Sequence, residues 1–516
     1  MSKPPRRFVR IRLEPSGRVI QAPAGAPLQE VLFPYGVEFP CGGRGKCRGC
    51  RIRALEGELP VTEWDRQAFL PEELERGYRL ACRAYAERDL TLEIAQWEGP
   101  ILADETPVAF QPRPGLGAAV DIGSTTLVAQ LLDLETGNVL GVETALNPQA
   151  RFGADVMSRV EAAMDPAKAA ELRELIRRAT GRMIERLMAK ASPEKAAKNQ
   201  LERAVLVGNT AMHHFFCGLD AAPLARHPFA PADPRHRRFT PRELGWDFLP
   251  AGEILFLPCI AGFVGSDILA GALAARLHEI EGPALLMDLG TNGEIALRAG
   301  DRLLCASTAA GPAFEGGRIR FGMRAAAGAI AAASVNNGKL QIQTVSDAPA
   351  RGLCGSGLVD VVAAALELGW IDPSGRIRTG DRIPLTENVW LTQRDIRELQ
   401  LAKGAIAAGA RVLCARRGVR PEQVRSAYLA GAFGNYVRPA AAARIGLFPF
   451  PEKRAVPLGN AALLGAKIVL LQNLPAEELE ELRNRFEHVA LNEDPAFQDA
   501  YIEEMRFAVP SAEQTA

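Results

Sequence analysis

The sequence has no excess of charge of either sign: 61 Lys and Arg balance 61 Asp and Glu over 516 residues. That balance argues against a nucleic-acid binder, which usually shows a basic excess. No apolar run approaches the ~20 residues a membrane span needs. The uncharged stretch Ala325–Gly338 is mostly alanine and glycine with two Asn, and is expected as packed loop or helix. No secretory signal is expected at the start of the sequence, because residues 1–13 are basic and alternate as a strand does. Nine cysteines, four of them towards the N-terminus, make no disulfide framework in a chain this long. A cytoplasmic location is the expectation. Also missing are a G-x-x-x-x-G-K-[ST] loop and a G-x-G-x-x-G after a strand, so neither of those nucleotide folds is supported. The apolar share of 47% and the length imply three or more ordinary globular units.

What is present begins with CGGRGKCRGC, Cys41 to Cys50. Cys41, Cys47 and Cys50 are followed by Cys82, and three close thiolates with one distant one is the plan of a [2Fe–2S] ferredoxin. Gly42, Gly43, Gly45 and Gly49 let a loop wrap a cluster closely. A four-cysteine zinc site is the alternative, although such sites usually show paired C-x2-C knuckles and only one is found here. Phe8–Gln21 reads as two short strands with a turn at Ser16-Gly17, Leu28–Phe33 as a helix, and Thr91–Ile94 as a closing strand. The stretch 6–97 resembles a β-grasp [2Fe–2S] ferredoxin, with the longer first gap of the adrenodoxin-like branch. Arg44, Lys46, Arg48, Arg51 and Arg53 make the loop basic and are expected as a solvated face, with a docking face for an acidic electron partner as the alternative.

Residues 98–116 carry four prolines and are expected as a semi-rigid linker. After them comes AAVDIGSTTLVAQLLDLETGNVLG, a strand–turn–strand with Asp121, Gly123, Ser124 and Thr125 at the bend. Glycine opens backbone N–H groups, hydroxyls donate to phosphate oxygens, and a carboxylate can hold the hydrated shell of Mg²⁺. The pattern recurs in ALLMDLGTNGEIAL, with Asp288, Gly290, Thr291, Gly293 and Glu294. Two such hairpins are an internal repeat, and two lobes facing each other would clamp a triphosphate. Ala204–Asn209 and Ile254–Gly262 read as strands, Asp267–His278 as a helix, and Asp155–Met188 as helix interrupted near Pro166. Leu353–Gly357 opens a helix through Leu368, and Ala427–Gly434 is a strand feeding glycines. The pair of hairpins resembles the superfamily of actin, heat-shock chaperone ATPases and sugar kinases, with two ribonuclease-H-like lobes.

A [2Fe–2S] ferredoxin joined to such an ATPase resembles the reductive activators of corrinoid enzymes. VLVGNTAMHH, PCIAGFVGSD, AAGPAFEGG, GMRAAAGAI, LCGSGLVD, LAGAFGNY, GNAALLGA and ALNEDPAFQDAYIEEM carry the likeness along nearly the whole chain. The resemblance implies a multidomain α/β and α+β protein: a ferredoxin-like domain (1–97), the linker (98–116), ATPase lobe one (117–280), lobe two (281–480) and a C-terminal helical tail (481–516). It implies one-electron reduction of Co(II) to Co(I) in a corrinoid protein of a methyltransferase system, driven by ATP. Cys41, Cys47, Cys50 and Cys82 would ligate the cluster. Gly123, Ser124, Thr125, Gly290, Thr291 and Gly293 would hold phosphates, and Asp121 and Asp288 would organise Mg²⁺ and the attacking water, with Glu294 a candidate to orient it. Gly355, Ser356, Gly431 and Gly434 would border the adenosine. AAGPAFEGG has no assigned chemistry. An external low-potential electron donor is implied, and a homodimer is borrowed from the family. The alternatives are an electron carrier whose actin-like part only senses nucleotide, and a ferredoxin-fused kinase. The scattered Cys217, Cys259, Cys305, Cys354 and Cys414 are expected as buried small hydrophobes, and Arg235–Arg238 as a solvated loop.

Overall fold

The structure is a computed structural model. It describes residues 7–94 except 15, 36, 38, 40–42, 46 and 47, then 106–191 except 154, then 200–290 and 292–508. Strand Phe8–Glu14 alternates strictly, burying Val9, Ile11 and Leu13 and exposing the residues between. It pairs antiparallel with Arg18–Pro23 and parallel with Leu90–Ile94. Arg51–Glu56 and Tyr78–Leu80 complete a five-stranded mixed sheet. Helix Leu28–Leu32 covers it by burying Leu28 and Leu32. This is the β-grasp arrangement.

Lobe one is a six-stranded sheet in the order Val139–Leu146, Thr126–Asp133, Leu116–Ile122, Leu201–Gly208, Glu253–Phe256, Arg237–Phe239. Its central strands are apolar on both faces, as doubly covered strands must be. Ala118, Val120 and Ile122 face helix Pro166–Lys190, while Ala119, Val205 and Val207 face helix Ser266–Ala274. Lobe two repeats the plan: Arg302–Thr308, Gly293–Ala299, Ala284–Leu289, Ser426–Ala430 and Ala455–Gly459 follow one another across the sheet. In both lobes a hairpin and a third antiparallel strand lie beside a parallel pair, so the duplication inferred from two hairpins extends to whole sheets.

Several segments differ from expectation. Ala329–Asn336, inside the alanine-rich stretch, is a strand between Lys339–Thr344 and Gly352–Leu353. Small side chains there let helix Gly355–Glu367 lie against the backbone; a Cβ on Gly357 would sit 1.9 Å from the Ile330 carbonyl. The strand expected over Ile254–Gly262 ends at Phe256, and the glycines after Ser426–Ala430 open a short helix, Gly431–Tyr436. The segment read as a helical tail also adds strand Phe486–His488 to the edge of the lobe-two sheet. Helix Ala461–Leu471, late in sequence, packs on the sheet of lobe one and against Ser266–Ala274. The described end of the linker is strapped to that helix: Gln111 N donates to Leu471 O (3.1 Å), and Lys467 Nζ donates to Thr106 O (2.7 Å). The run Arg235–Arg238 is not simply solvated, because Arg235 and Arg237 pair with Asp233 and Arg238 pairs with Glu253 and Glu477. Among the described residues, no helix is long and apolar enough to cross a membrane.

Candidate functional site

The first hairpin ends strand Leu116–Ile122 at Gly123, where a Cβ would lie 2.5 Å from the Thr126 carbonyl. Only glycine closes so tight a turn. Two asparagines hold the bend. Asn147 Nδ2 donates to Gly123 O (2.9 Å), and Asn209 Nδ2 donates to Ser124 Oγ (2.7 Å). Asn209 also caps helix Thr210–Cys217 by accepting from Met212 N. Asp121 accepts at 3.0 Å from Nδ2 of Asn460, itself the cap of helix Ala461–Leu471. In the second hairpin Asp288 stands opposite Glu294 and beside Ala430. Gly290 is open, with nothing nearer to a would-be Cβ than Asn292 O at 3.7 Å. Gly293 packs against Ile406, its carbonyl accepting from Thr308 Oγ1. Thr291 lies outside the described residues.

A fourth carboxylate joins these three. Asp267, in the first turn of helix Ser266–Ala274, is electrostatically coupled to Asp121, Asp288 and Glu294. Burial, then mutual repulsion, pushes Asp288 up to about 7; burial, opposed by the Asn460 hydrogen bond and reinforced by Asp267, does the same for Asp121. Burial raises Asp267 to about 6 and lifts Glu294 well above the usual carboxylate range. Among the described residues no Lys or Arg is ion-paired with any of the four. Repelling carboxylates without a cationic partner are the donor set a divalent cation relieves. Among the described residues, no three His, Cys, Asp or Glu are grouped so that they could hold a metal ion by themselves. Mg²⁺ takes one or two carboxylates and keeps waters and phosphate oxygens for the rest.

Beside the second hairpin Gly431 adopts φ +81°, and a Cβ there would lie 2.7 Å from Asp288 Oδ1. Gly434 lies over the Leu429 backbone. Gly355 and Ser356 sit deeper: Gly355 abuts the Phe314 carbonyl, and Ser356 Oγ donates to Ala331 O at 3.0 Å. The structure thus brings Gly431 to the carboxylates and engages Gly355 and Ser356 in packing. Asp267, Asn209 and Asn460 were not singled out from sequence. Their signal is a polar residue at a helix start, in GSD, GNT and GNA, which is common to most helices.

In the ferredoxin domain Cys41 and Cys47 lie outside the described residues. Cys50 is buried and Cys82 half-buried, and Ala81 N donates to Cys50 O (3.0 Å), so the two ligand segments run side by side. Gly43 and Gly45 hold φ near +75° at the turn. A glycine-turned backbone of this kind, with the Cys50 and Cys82 segments hydrogen-bonded side by side, fits a cluster. Of the basic residues, Arg44 is exposed, but Arg48 and Arg51 are not a solvated face. Arg48 pairs with Glu73 (2.9 Å), and Arg51 donates to Arg320 O of lobe two (2.7 Å). A cavity of about 930 Å³ opens between the cluster loop at Gly45, Arg48 and Gly49 and the lobes at Thr125, Asp155 and Glu315.

Three family descriptions match in succession: "2Fe-2S iron-sulfur cluster binding domain" over residues 11–87, "RACo middle region" over 116–280, and "C-terminal domain of RACo the ASKHA domain" over 282–515. Corrinoid activation enzyme RamQ of Eubacterium limosum is 32% identical over 433 residues, 78% of this chain and 72% of the relative. The chain belongs to the RACo family. The [Co(II) methylated amine-specific corrinoid protein] reductase of Methanosarcina barkeri is 28% identical to this RACo-family chain over 427 residues, 76% of it and 77% of the relative. A solved reductive activator for corrinoid,iron-sulfur protein superposes with TM-score 0.68 at 27% identity, covering 97% of this chain and 98% of that one. The two histidines of VLVGNTAMHH are held by the fold. His214 Nδ1 bonds to Thr210 O and its Nε2 accepts from Ala232 N, while burial holds His213 neutral with a pKa lowered to about 3.

Proposed function

We propose that this chain is an ATP-dependent reductive activator that returns the cobalt of a corrinoid protein from Co(II) to Co(I) by one electron. The observation that carries the reading is the buried group of interacting carboxylates, Asp121, Asp267, Asp288 and Glu294, read here as the floor of a nucleotide cleft between the two hairpins, in a chain of the RACo family that also carries the cysteine loop. Cys41, Cys47, Cys50 and Cys82 would hold a [2Fe–2S] cluster, which supplies one-electron chemistry. Asp121 and Asp288 would hold a hydrated Mg²⁺ ion, which would neutralise phosphate charge, and Asp267 and Glu294 would orient the water that attacks the γ-phosphate. Ser124 and Thr125 donate hydroxyls, and the open Gly290 turn presents backbone N–H groups to phosphate oxygens. Gly431 shapes the nucleotide side of Asp288, with Gly434, Gly355 and Ser356 behind it. Two lobes hinged about one nucleotide have two arrangements, and ligands shift the balance between them.

The units divide at 97, 116, 280 and 480, with helix Ala461–Leu471 returning to brace lobe one. An external low-potential donor recharges the protein, which works in the cytoplasm and can pair as a homodimer. Mg²⁺-dependent ATP turnover by the cluster-loaded protein tests the cleft. Asp288→Asn is expected to lower it at least 100-fold while leaving the visible spectrum of the cluster intact. Unchanged turnover would refute the assignment of Asp288.

A further inference from the structure

The segment Gly311–Met323, which holds most of AAGPAFEGG, touches both working parts of the molecule. At one end Phe314 stacks on Phe433 with ring centroids 4.3 Å apart. Phe433 belongs to the short helix opened by Gly431, the residue pressed against Asp288. At the other end Arg320 pairs with Glu73 of the ferredoxin domain (2.9 Å), and the second oxygen of Glu73 pairs with Arg48 (2.9 Å), between Cys47 and Cys50 in the cluster loop. The side chain of Glu73 is only 5% exposed, so both guanidinium groups meet it away from water, where losing one partner is costly. Arg51 donates to the Arg320 carbonyl, and Asp395, in the capping box of helix Gln393–Arg416, accepts from the Arg320 amide (2.7 Å). A separate tie, Arg351 to Glu93 at 2.8 Å, joins the end of strand Leu90–Ile94 to lobe two.

We propose that Gly311–Met323 is the docking face of the ferredoxin domain on lobe two, and that it transmits the nucleotide state of the cleft to the cluster loop, with Glu73 as the latch. The inference rests on the reading that the cleft binds nucleotide. Its physical content is one line: Asp288 against Gly431, Phe433 of the same short helix stacked on Phe314, the backbone from Phe314 to Arg320, then the pairs Arg320–Glu73 and Glu73–Arg48. A shift of the second hairpin moves a stacked aromatic pair that cannot deform smoothly, and that pair carries the loop bearing Arg320. A seam of a few charge pairs is the kind that can be released, because domain interfaces of this sort are polar and modest in size. Released, the cluster loop leaves the wall of the 930 Å³ cavity and becomes available to another protein.

Hydrogen–deuterium exchange on the full-length, cluster-loaded protein, with and without MgADP, tests this. Nucleotide is expected to slow exchange at least twofold across 284–299 and to change it at least twofold across 70–76 and 318–323. In Glu73→Gln, which keeps an acceptor for the Leu70 amide, the effect at 284–299 stays and the effect at 70–76 disappears. Arg320→Gln, made from the other side, gives the same pattern. Protection at 284–299 with none at 70–76 in the wild type, or full coupling retained in both variants, overturns the proposal. No effect at 284–299 overturns the nucleotide reading itself, and the coupling with it.

Discussion

Asp121 and Asp288 each sit near the end of a strand, with a third carboxylate, Asp267, coupled to both. Their placement has a pH consequence with a definite sign. An acid raised in the folded state, here from 3.8 to about 7, binds its proton more tightly there than in the unfolded chain. The stability it contributes is complete below the unfolded value and is lost as pH rises through 7. Nucleotide-free protein is therefore expected to lose stability between about pH 4 and pH 7, and Asp121→Asn to melt higher than wild type at pH 8 while the gap narrows at pH 5. At about 2–4 °C per kcal/mol for a unit of this size, the shift is measurable by calorimetry. MgADP should stabilise wild type more at pH 8 than at pH 5.5. A gap independent of pH would show that burial does not raise Asp121 in the folded protein. Both hairpin acids were legible because D-x-G with hydroxyls at a bend is a local pattern that occurs twice. Asp267, Asn209 and Asn460 were not, because each is an ordinary helix-start residue until the fold brings it to the hairpins.

Elements were legible where side chains announce their period. Phe8–Glu14 alternates, and the two hairpins are apolar strands around glycine turns, so their positions could be read directly. Ala329–Asn336 could not, because alanine suits helix, loop and strand alike, and its strand identity comes from the helix lying on it. Phe486–His488 pairs only through an edge supplied by Arg302–Thr308, far back in sequence. Helices Ser266–Ala274 and Ala461–Leu471 show a further non-local demand. They touch so closely that a Cβ on Gly465 would lie 2.1 Å from the Ala270 carbonyl. Gly465→Ala is expected to push them apart at a cost of about 1–3 kcal/mol. Because Asn460 caps the second helix and holds Asp121, ATP turnover should fall as well. The melting temperature and turnover, followed beside an unchanged cluster spectrum, check this; wild-type values for both would mean that the joint is not tight.

On the proposed reading, the whole molecule joins a one-electron centre to a clamp that changes shape around nucleotide. The chain visits lobe one, then lobe two, then returns through Ala461–Leu471 to lobe one, while the ferredoxin domain rests on lobe two through Arg48, Glu73 and Arg320. In such a path the lobes cannot move without the joint between them moving, and ATP need never touch the electron. The most direct measurement mixes the reduced, cluster-loaded protein with a Co(II) corrinoid methyltransferase subunit under anoxic conditions and follows the cobalt spectrum with and without MgATP. Co(I) accumulating only when MgATP is present is the result expected. Co(I) formed equally well without nucleotide, or formed under neither condition with a cognate partner, would contradict an ATP-driven reductive activator.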